Sequence, residues 1–253
     1  MKFGVCISNF ENAVFLSQLG YSYIELGLQE IADLSDDEFL NLYKACQRNP
    51  IKAEVFNSCI RRYNIVGPNV DWDNIKIYIA KAIPRAYLLG AQIIVFGSGG
   101  ARRVPDRFSR EIAKQQIIDF LKFIGDFSAK FNIKIAIENL NNNECNILNT
   151  VEEELEYVEK CNLANVGVLA DFYHMRVENE DFNVLKKVSN KLFHVHIANS
   201  NGRFYPKNID EDNYKDFFAV LNEIGYDKRI SIEARLVAET DYENAFNVLN
   251  IFL

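Results

Sequence analysis

The stretch Ile133-Lys-Ile-Ala-Ile-Glu138 is a short apolar run that ends on a carboxylate. The same form recurs at residues 166–170 before Asp171, 192–195 before His196 and 230–232 before Glu233. Short, nearly continuous apolar runs are typical of buried parallel strands. The sequence therefore predicts four strands that each carry an acidic or imidazole side chain at or just past the carboxyl end.

Similar runs alternate with helix-like segments along the whole chain, which is the pattern of βα units and a parallel sheet. The predicted strands cover residues 3–7, 23–26, 53–56, 93–96, 133–137, 166–170, 192–197 and 230–232. Between two of them, apolar residues recur at helical spacing over 112–131. A length of 253 residues suits eight such units. The predicted fold is α/β, a (β/α)8 TIM barrel, with residues 1–253 as a single domain.

Polar residues mark several predicted helix starts. Thr150 with Glu153 three residues later has the form of a capping box, and aspartates at 36 and 71 indicate two earlier starts. Pro84 falls inside a helical pattern, where its missing N–H predicts a kink.

The composition excludes several classes of protein. No apolar stretch reaches the roughly 20 residues that cross a bilayer, and no secretory signal is predicted, so we expect a cytoplasmic protein without membrane contact. The five cysteines lack a paired spacing, which predicts reduced thiols. A net charge of −7 disfavours nucleic acid. A small-molecule substrate fits this composition better.

The four strand ends predict one metal site. Functional groups of a parallel barrel come from the carboxyl ends of its strands, so Glu138, Asp171, His196 and Glu233 are expected to converge. Three carboxylates in one pocket repel each other unless a cation joins them. Mostly oxygen donors favour Mn²⁺ or Mg²⁺, while Co²⁺ and Zn²⁺ stay open. The sequence therefore predicts a metalloenzyme with one divalent ion.

A glycine-rich segment, Gly97-Ser-Gly-Gly100, follows the fourth predicted strand. It lacks the residues of a P-loop and the spacing of a dinucleotide fingerprint, so no organic cofactor is predicted. Arginines follow at Arg102, Arg103 and Arg107. They either bind a phosphate or carboxylate of the substrate or form a solvated, salt-bridged loop. Both interpretations stay open at this point.

The motifs also carry a resemblance that covers nearly the whole chain. They are Ile137-Glu-Asn, Val168-Leu-Ala-Asp-Phe-Tyr-His-Met175, His194-Val-His-Ile and Ser231-Ile-Glu. In order and spacing they resemble the xylose isomerase-like TIM barrel superfamily, in the sugar phosphate isomerase/epimerase branch that includes ketose 3-epimerases. The resemblance implies that the metal ligands are Glu138, Asp171, His196 and Glu233. It also implies that Glu138 and Glu233 act as acid and base.

Further substrate contacts follow from the resemblance alone. It implies that His174 and Glu144 touch the substrate. In ketose epimerases an arginine lies six residues after the metal-binding histidine, whereas this chain has Gly202 there and Arg203 next to it. The resemblance implies that Arg203 contacts the substrate only if the loop is shifted by one residue. The changed position of the arginine is also compatible with a different substrate.

The predicted activity is metal-dependent isomerisation or epimerisation of a sugar, sugar phosphate or related polyol. One glutamate would remove a proton beside a carbonyl and the other would return it, by way of a metal-stabilised enediolate. Return to the opposite face of the same carbon gives an epimer. Return to the neighbouring carbon gives an aldose-ketose isomer.

Three other functions are alternatives to this one. A metal-dependent dehydratase of a keto-polyol, of the inosose or dehydroshikimate type, begins with the same enolisation. A non-catalytic binding subunit would have lost at least one buried carboxylate, whereas every position is filled here. An AP endonuclease needs additional histidines for its zinc cluster, and the chain has only three.

A homodimer is also expected, because barrels of this kind often associate.

Overall fold

The computed structural model describes residues 1–8 and 10–252. Eight parallel strands close into a barrel in chain order. They are β1 (Lys2–Cys6), β2 (Tyr23–Gly27), β3 (Lys52–Asn57), β4 (Ile93–Phe96), β5 (Lys134–Glu138), β6 (Val166–Asp171), β7 (Leu192–Ile197) and β8 (Arg229–Ile232). The predicted TIM barrel is confirmed, and every predicted strand boundary lies within one residue of the observed one.

Helices connect the strands and cover the outside of the barrel. They are α1 (Ala13–Leu19), α2 (Leu28–Asp33), α3 (Asp36–Arg48), α4 (Trp72–Leu89), α5 (Gly99–Arg102), α6 (Arg110–Ala129), α7 (Val151–Cys161), α8 (Phe172–Val177), α9 (Tyr214–Glu223) and α10 (Thr240–Asn250). The helix predicted at 112–131 is α6. Helix α4 continues through Pro84. Among the described residues, no helix has both the length and the apolar character needed to cross a bilayer.

Two apolar layers hold the barrel together. The larger layer lies between the strands and the surrounding helices. The smaller fills the barrel interior and consists of Tyr23, Val55, Ile93, Val95, Ala136, Leu169 and Phe193. Every residue of β6 and of β7 is buried, which explains their almost unbroken apolar sequences. This filled interior leaves the strand ends as the place for polar chemistry.

The helix caps agree with the local sequence, except that the cap of α3 lies one residue before the predicted start. Helix α7 begins after Thr150, whose hydroxyl accepts a hydrogen bond from the Glu153 N–H at 3.1 Å. The Glu153 carboxylate accepts from the N–H of Asn149, one residue before the cap. Helix α3 is capped by Ser35, one residue before the predicted start, because Ser35 and Glu38 form a complete capping box.

Replacing Thr150 with alanine removes the cap of α7. We expect the free energy of unfolding to fall by about 1 kcal/mol, because one N–H of the first turn loses its acceptor. Urea unfolding followed by circular dichroism measures this change. Thr150→Ser is the matched control and keeps the stability of the wild type. Equal stability of Thr150→Ala and the wild type would contradict the assigned cap.

Candidate metal centre

The four predicted strand-end residues meet at one point. Glu138 is the last residue of β5, Asp171 the last of β6, and Glu233 follows β8 directly. His196 lies in β7 and pairs in register with Asp171 on one side and Ser231 on the other. Each of the four offers one ligand atom, and these atoms all lie within 4.8 Å of one another. The barrel thus brings together residues that lie far apart in sequence.

The imidazole of His196 is the centre of this cluster. Its Nδ1 lies 2.9 Å from Glu138 Oε1, 3.5 Å from Glu233 Oε2 and 3.9 Å from Asp171 Oδ2. The ring is fully buried. Burial by itself would lower the pKa of His196, but the surrounding carboxylates, Glu25 first among them, raise it well above its usual value. A positive charge is therefore strongly favoured at this position.

Glu25 is a member of the cluster that the sequence reasoning missed. It lies in β2, is fully buried, and its carboxylate is 3.0 Å from His196 Nε2 and 3.1 Å from His194 Nε2. Burial would raise the pKa of Glu25, yet the two histidines hold it well below its usual value. An acidic residue inside an apolar strand was the available signal. Glu25 accepts the Nε2–H of His196, which directs Nδ1 toward the other carboxylates.

Glu138 and Glu233 differ in their electrostatic surroundings. Burial, and next the charge of Glu233, raises the pKa of Glu138 to about 7. Burial would also raise the pKa of Glu233, but the guanidinium of Arg203 and the imidazole of His196 lower it to about 2. Two carboxylates with pKa values this far apart can hold one proton between them.

His174 lies beside the cluster with one free nitrogen. Its Nδ1 is 3.1 Å from the backbone N of Asn141 and so accepts that N–H, which leaves the proton of the neutral ring on Nε2. Burial is the main cause that lowers the pKa of His174, which favours the neutral ring. Among the described residues, Nε2 has no hydrogen-bond partner, and it lies 3.8 Å from Asp171 Oδ2 and 4.0 Å from Glu144 Oε2. The Nε2–H of His174 is therefore a hydrogen-bond donor at the edge of the cluster that no acceptor among the described residues uses.

Arg203 covers the other side of the cluster. Its guanidinium contacts Glu233 Oε2, lies 3.3 Å from Glu144 Oε1 and 3.9 Å from Asp171 Oδ2, and stacks 5.0 Å from the ring centre of Tyr173. Gly202 and Arg203 both have positive φ, and this turn brings the guanidinium to the strand ends. Arg203 lies one residue later in the sequence than the arginine of the ketose epimerases, and its guanidinium still reaches the carboxylates.

The donor set fits a divalent ion. Glu138, Asp171 and His196 are buried, while the Glu233 side chain is 25% exposed, so the cluster opens toward solvent on one side. Buried carboxylates around one imidazole are the chemistry of a hard-cation site. The hydrogen bond from His196 Nε2 to Glu25 is the support that a histidine ligand commonly has.

Comparison with known proteins identifies the family. Residues 14–250 match the family model described as a xylose isomerase-like TIM barrel. The chain belongs to this family.

Several of the similar proteins are named as epimerases. The ketose 3-epimerase of Arthrobacter globiformis is 34% identical over 113 residues, which are 44% of this chain but only 38% of that protein. The D-psicose 3-epimerase of Agrobacterium fabrum is 27% identical over 228 residues, 80% of this chain and 75% of that protein. The crystal structure of a D-psicose 3-epimerase with D-fructose has a TM-score of 0.87 at 19% identity, over 99% of this chain and 98% of that one. These names are consistent with an isomerase or epimerase.

The arginine cluster of this xylose isomerase-like barrel divides into two parts. Arg102 is fully buried, and its guanidinium donates to the backbone carbonyls of Phe96, Glu138 and Leu148 at 2.9, 2.7 and 3.4 Å. Arg102 therefore fits neither interpretation, substrate binding or a solvated loop, because its donors tie the last residues of β4 and β5 to the loop at Leu148. Arg103 is exposed and donates to the carbonyl of Glu144 at 2.7 Å. Substrate contact by Arg103 stays a prediction.

Gly97 makes room for the Glu138 carboxylate. A Cβ at this position would overlap Glu138 Oε2. The glycine-rich segment therefore serves close packing at the strand end of this barrel, which agrees with the missing phosphate-binding signature.

A cavity of about 230 Å³ lies at the same end of the barrel, over the carboxyl ends of β1 to β3. Its lining includes Cys6, Glu30 and Asn57. Cys6 also forms a cluster of close ligand atoms with Glu25 and His196, so the cavity adjoins the metal centre. Burial raises the pKa of the Cys6 thiol well above its usual value, which does not favour a nucleophile.

Replacing Arg102 with alanine tests its structural role. We expect the free energy of unfolding to fall by about 3 kcal/mol, because buried carbonyls lose their donors. Arg103→Ala is the matched control, and its exposed side chain predicts a change within about 0.5 kcal/mol. Urea unfolding measures both variants. Equal stability of the two variants would contradict this assignment.

Proposed function

We propose that this chain is a divalent-metal-dependent epimerase or isomerase of a sugar or sugar phosphate. The observation that carries the proposal is the cluster of Glu138, Asp171, His196 and Glu233, whose ligand atoms lie within 4.8 Å of one another at the barrel mouth. The epimerase names of the relatives support the same chemistry. Because the alignments cover the relatives only in part, the substrate is also part of the proposal.

We assign the four residues of this cluster as ligands of one divalent ion, with Mn²⁺ as the first choice. Bound there, the ion supplies a Lewis acid beside the substrate carbonyl. The three carboxylates and one imidazole favour a hard cation, although Mg²⁺, Co²⁺ and Zn²⁺ use the same donors. Glu25 holds the His196 ring with Nδ1 toward the ligand cluster, so that the fourth donor needs no rearrangement.

Glu138 and Glu233 are the proposed acid and base. They reach the cluster from β5 and β8, and each has an oxygen close to His196 Nδ1, at 2.9 and 3.5 Å. Their positions on separate strands allow them to approach one substrate carbon from two sides. One glutamate takes the proton from the carbon next to the carbonyl, and the other delivers it. The face or carbon that receives the proton decides between epimer and isomer.

Three further side chains are proposed to hold the substrate. The Nε2–H of His174 has no acceptor in the part of the chain that the structure describes and can donate to a substrate oxygen. Glu144 is 40% exposed and can accept from a hydroxyl. Arg203 lies between Glu144 and Glu233, where it can donate to an oxygen of the sugar. Polar groups in this arrangement match a small carbohydrate with several adjacent hydroxyls.

Solvent-deuterium incorporation tests the proposed reaction. The protein is incubated with Mn²⁺ and a panel of ketoses, ketose phosphates and inososes in D₂O, and the substrates are analysed by mass spectrometry. We expect uptake of one deuterium, loss of uptake with a chelator, and a drop of at least about 100-fold in Glu138→Gln and Glu233→Gln. Glu159→Gln, on the exposed face of α7, is the control and keeps full exchange.

Outcomes of this experiment separate the rival functions. Recovery of an epimer or isomer of unchanged mass, apart from the deuterium, supports the proposal. A product that has lost water identifies the dehydratase alternative. Full exchange in both glutamine variants, with metal content equal to that of the wild type, would overturn the acid-base assignment.

Replacing Glu25 with glutamine tests the support of His196. We expect Mn²⁺ to bind roughly 10- to 100-fold more weakly, because the imidazole loses the anionic partner of its Nε2–H. Isothermal titration calorimetry on the chelator-treated protein measures the dissociation constant, again with Glu159→Gln as control. An affinity within about twofold of the wild type would show that Glu25 does not support the ligand.

A further inference from the structure

A second, larger cavity lies at the opposite end of the barrel. Its volume is about 670 Å³. The lining includes the first residues of β4, β5 and β8, so the cavity opens at the amino ends of the strands. The candidate metal centre lies at the carboxyl ends of β5 to β8. The two sites are therefore separated by the length of the strands, and the proposed activity does not use this cavity.

The polar lining of the cavity includes Lys130, Lys134, Lys228 and Arg229. Lys134 Nζ lies 4.9 Å and Lys228 Nζ 5.9 Å from the ring centre of Phe193, so both ammonium groups border the same ring. Lys228 Nζ donates to the carbonyl of Leu192 at 2.7 Å. Two ammonium groups around one phenyl ring inside a concavity form a positive site with an apolar floor.

Among residues 1–8 and 10–252, neither Lys134 nor Lys228 has a carboxylate oxygen within 4.0 Å of its nitrogen. Glu54, near the rim, is already paired with Arg229. Burial and next the charge of Lys134 lower the pKa of Lys228, whereas Asp227 opposes this shift. The repulsion between the lysines would be relieved by an anion placed between them.

The rest of the lining can hold a larger molecule than a simple ion. Tyr87 and Phe131 form an aromatic pair with ring centres 5.5 Å apart at the wall, and Tyr87 is 51% exposed. The amides of Gln92 and Asn132 add polar groups. A volume of about 670 Å³ is in the range of small-molecule sites in proteins.

We propose that this cavity binds the phosphomonoester group of a small metabolite, with the phosphate between Lys134 and Lys228 and the organic part against Tyr87 and Phe131. A phosphomonoester carries the nearly double negative charge that two ammonium groups without a carboxylate in salt-bridge distance, among the described residues, can balance. Its three terminal oxygens accept charge-assisted hydrogen bonds from both lysines. The phosphorylated compound would therefore bind at the end of the barrel away from the metal centre.

Calorimetric titration of the metal-loaded chain with phenyl phosphate tests the proposal, because this probe combines a phosphomonoester with an aromatic ring and is not a carbohydrate. Phenol is the uncharged comparison. We expect saturable binding of phenyl phosphate, none of phenol, and roughly tenfold weaker binding in each of Lys134→Gln and Lys228→Gln. Inorganic phosphate is expected to compete. Lys122→Gln, on α6 outside the cavity, is the matched control and binds like the wild type.

Charge-conserving variants test whether weaker binding in the glutamine variants results from the lost charge or from a loss of structure. Lys134→Arg and Lys228→Arg keep the positive charge and are expected to bind within about threefold of the wild type. Weak binding in the glutamine variants together with retention in the arginine variants supports the site. Absence of saturable binding, or equal affinity in the wild type and in the Lys134→Gln/Lys228→Gln double variant, overturns it. Equal affinity in the wild type and in the double variant would show that phenyl phosphate binds another part of the chain, such as the metal centre.

Discussion

The structure depends on a group of carboxylates that lie close together around one buried imidazole. Glu25, Glu138, Asp171 and Glu233 surround the single imidazole of His196, and only Glu233 among them is substantially exposed. In a medium of low dielectric these carboxylates repel each other strongly unless a cation lies among them. His196 as imidazolium satisfies this need in part, and a divalent ion would satisfy it more completely.

The surroundings of the cluster are organised by the same constraint. Gly97 leaves space for one carboxylate, the guanidinium of Arg203 balances another, and Asn141 orients the ring of His174. Arg102 contributes from behind, where it ties the backbone carbonyl of Glu138 to those of Phe96, at the end of β4, and Leu148. A side chain that fixes a strand end in this way also fixes the carboxylate that the strand presents.

The parallel barrel separates two polar regions of opposite sign. Strand β5 begins at Lys134 and ends at Glu138, and Lys228 and Glu233 flank β8 in the same direction. The carboxyl ends therefore collect acidic groups around His196, and the amino ends collect lysines around Phe193. Because all strands run the same way, a residue's position within its strand decides which region it joins.

The sequence by itself determined the barrel, its strand boundaries to within one residue, and the convergence of four strand-end residues. Apolar runs and turns are local, and the carboxyl ends of parallel strands must share one edge. Only the tertiary structure decided that Glu25 contacts His196 across 171 positions of sequence, and that Arg102 turns away from the pocket while Arg203 turns toward it. These contacts follow from barrel closure and from side-chain direction. Side-chain direction is not encoded in the local spacing of residues, because one strand end can present a side chain inward or outward, and contacts between distant residues depend on how the closed barrel positions them.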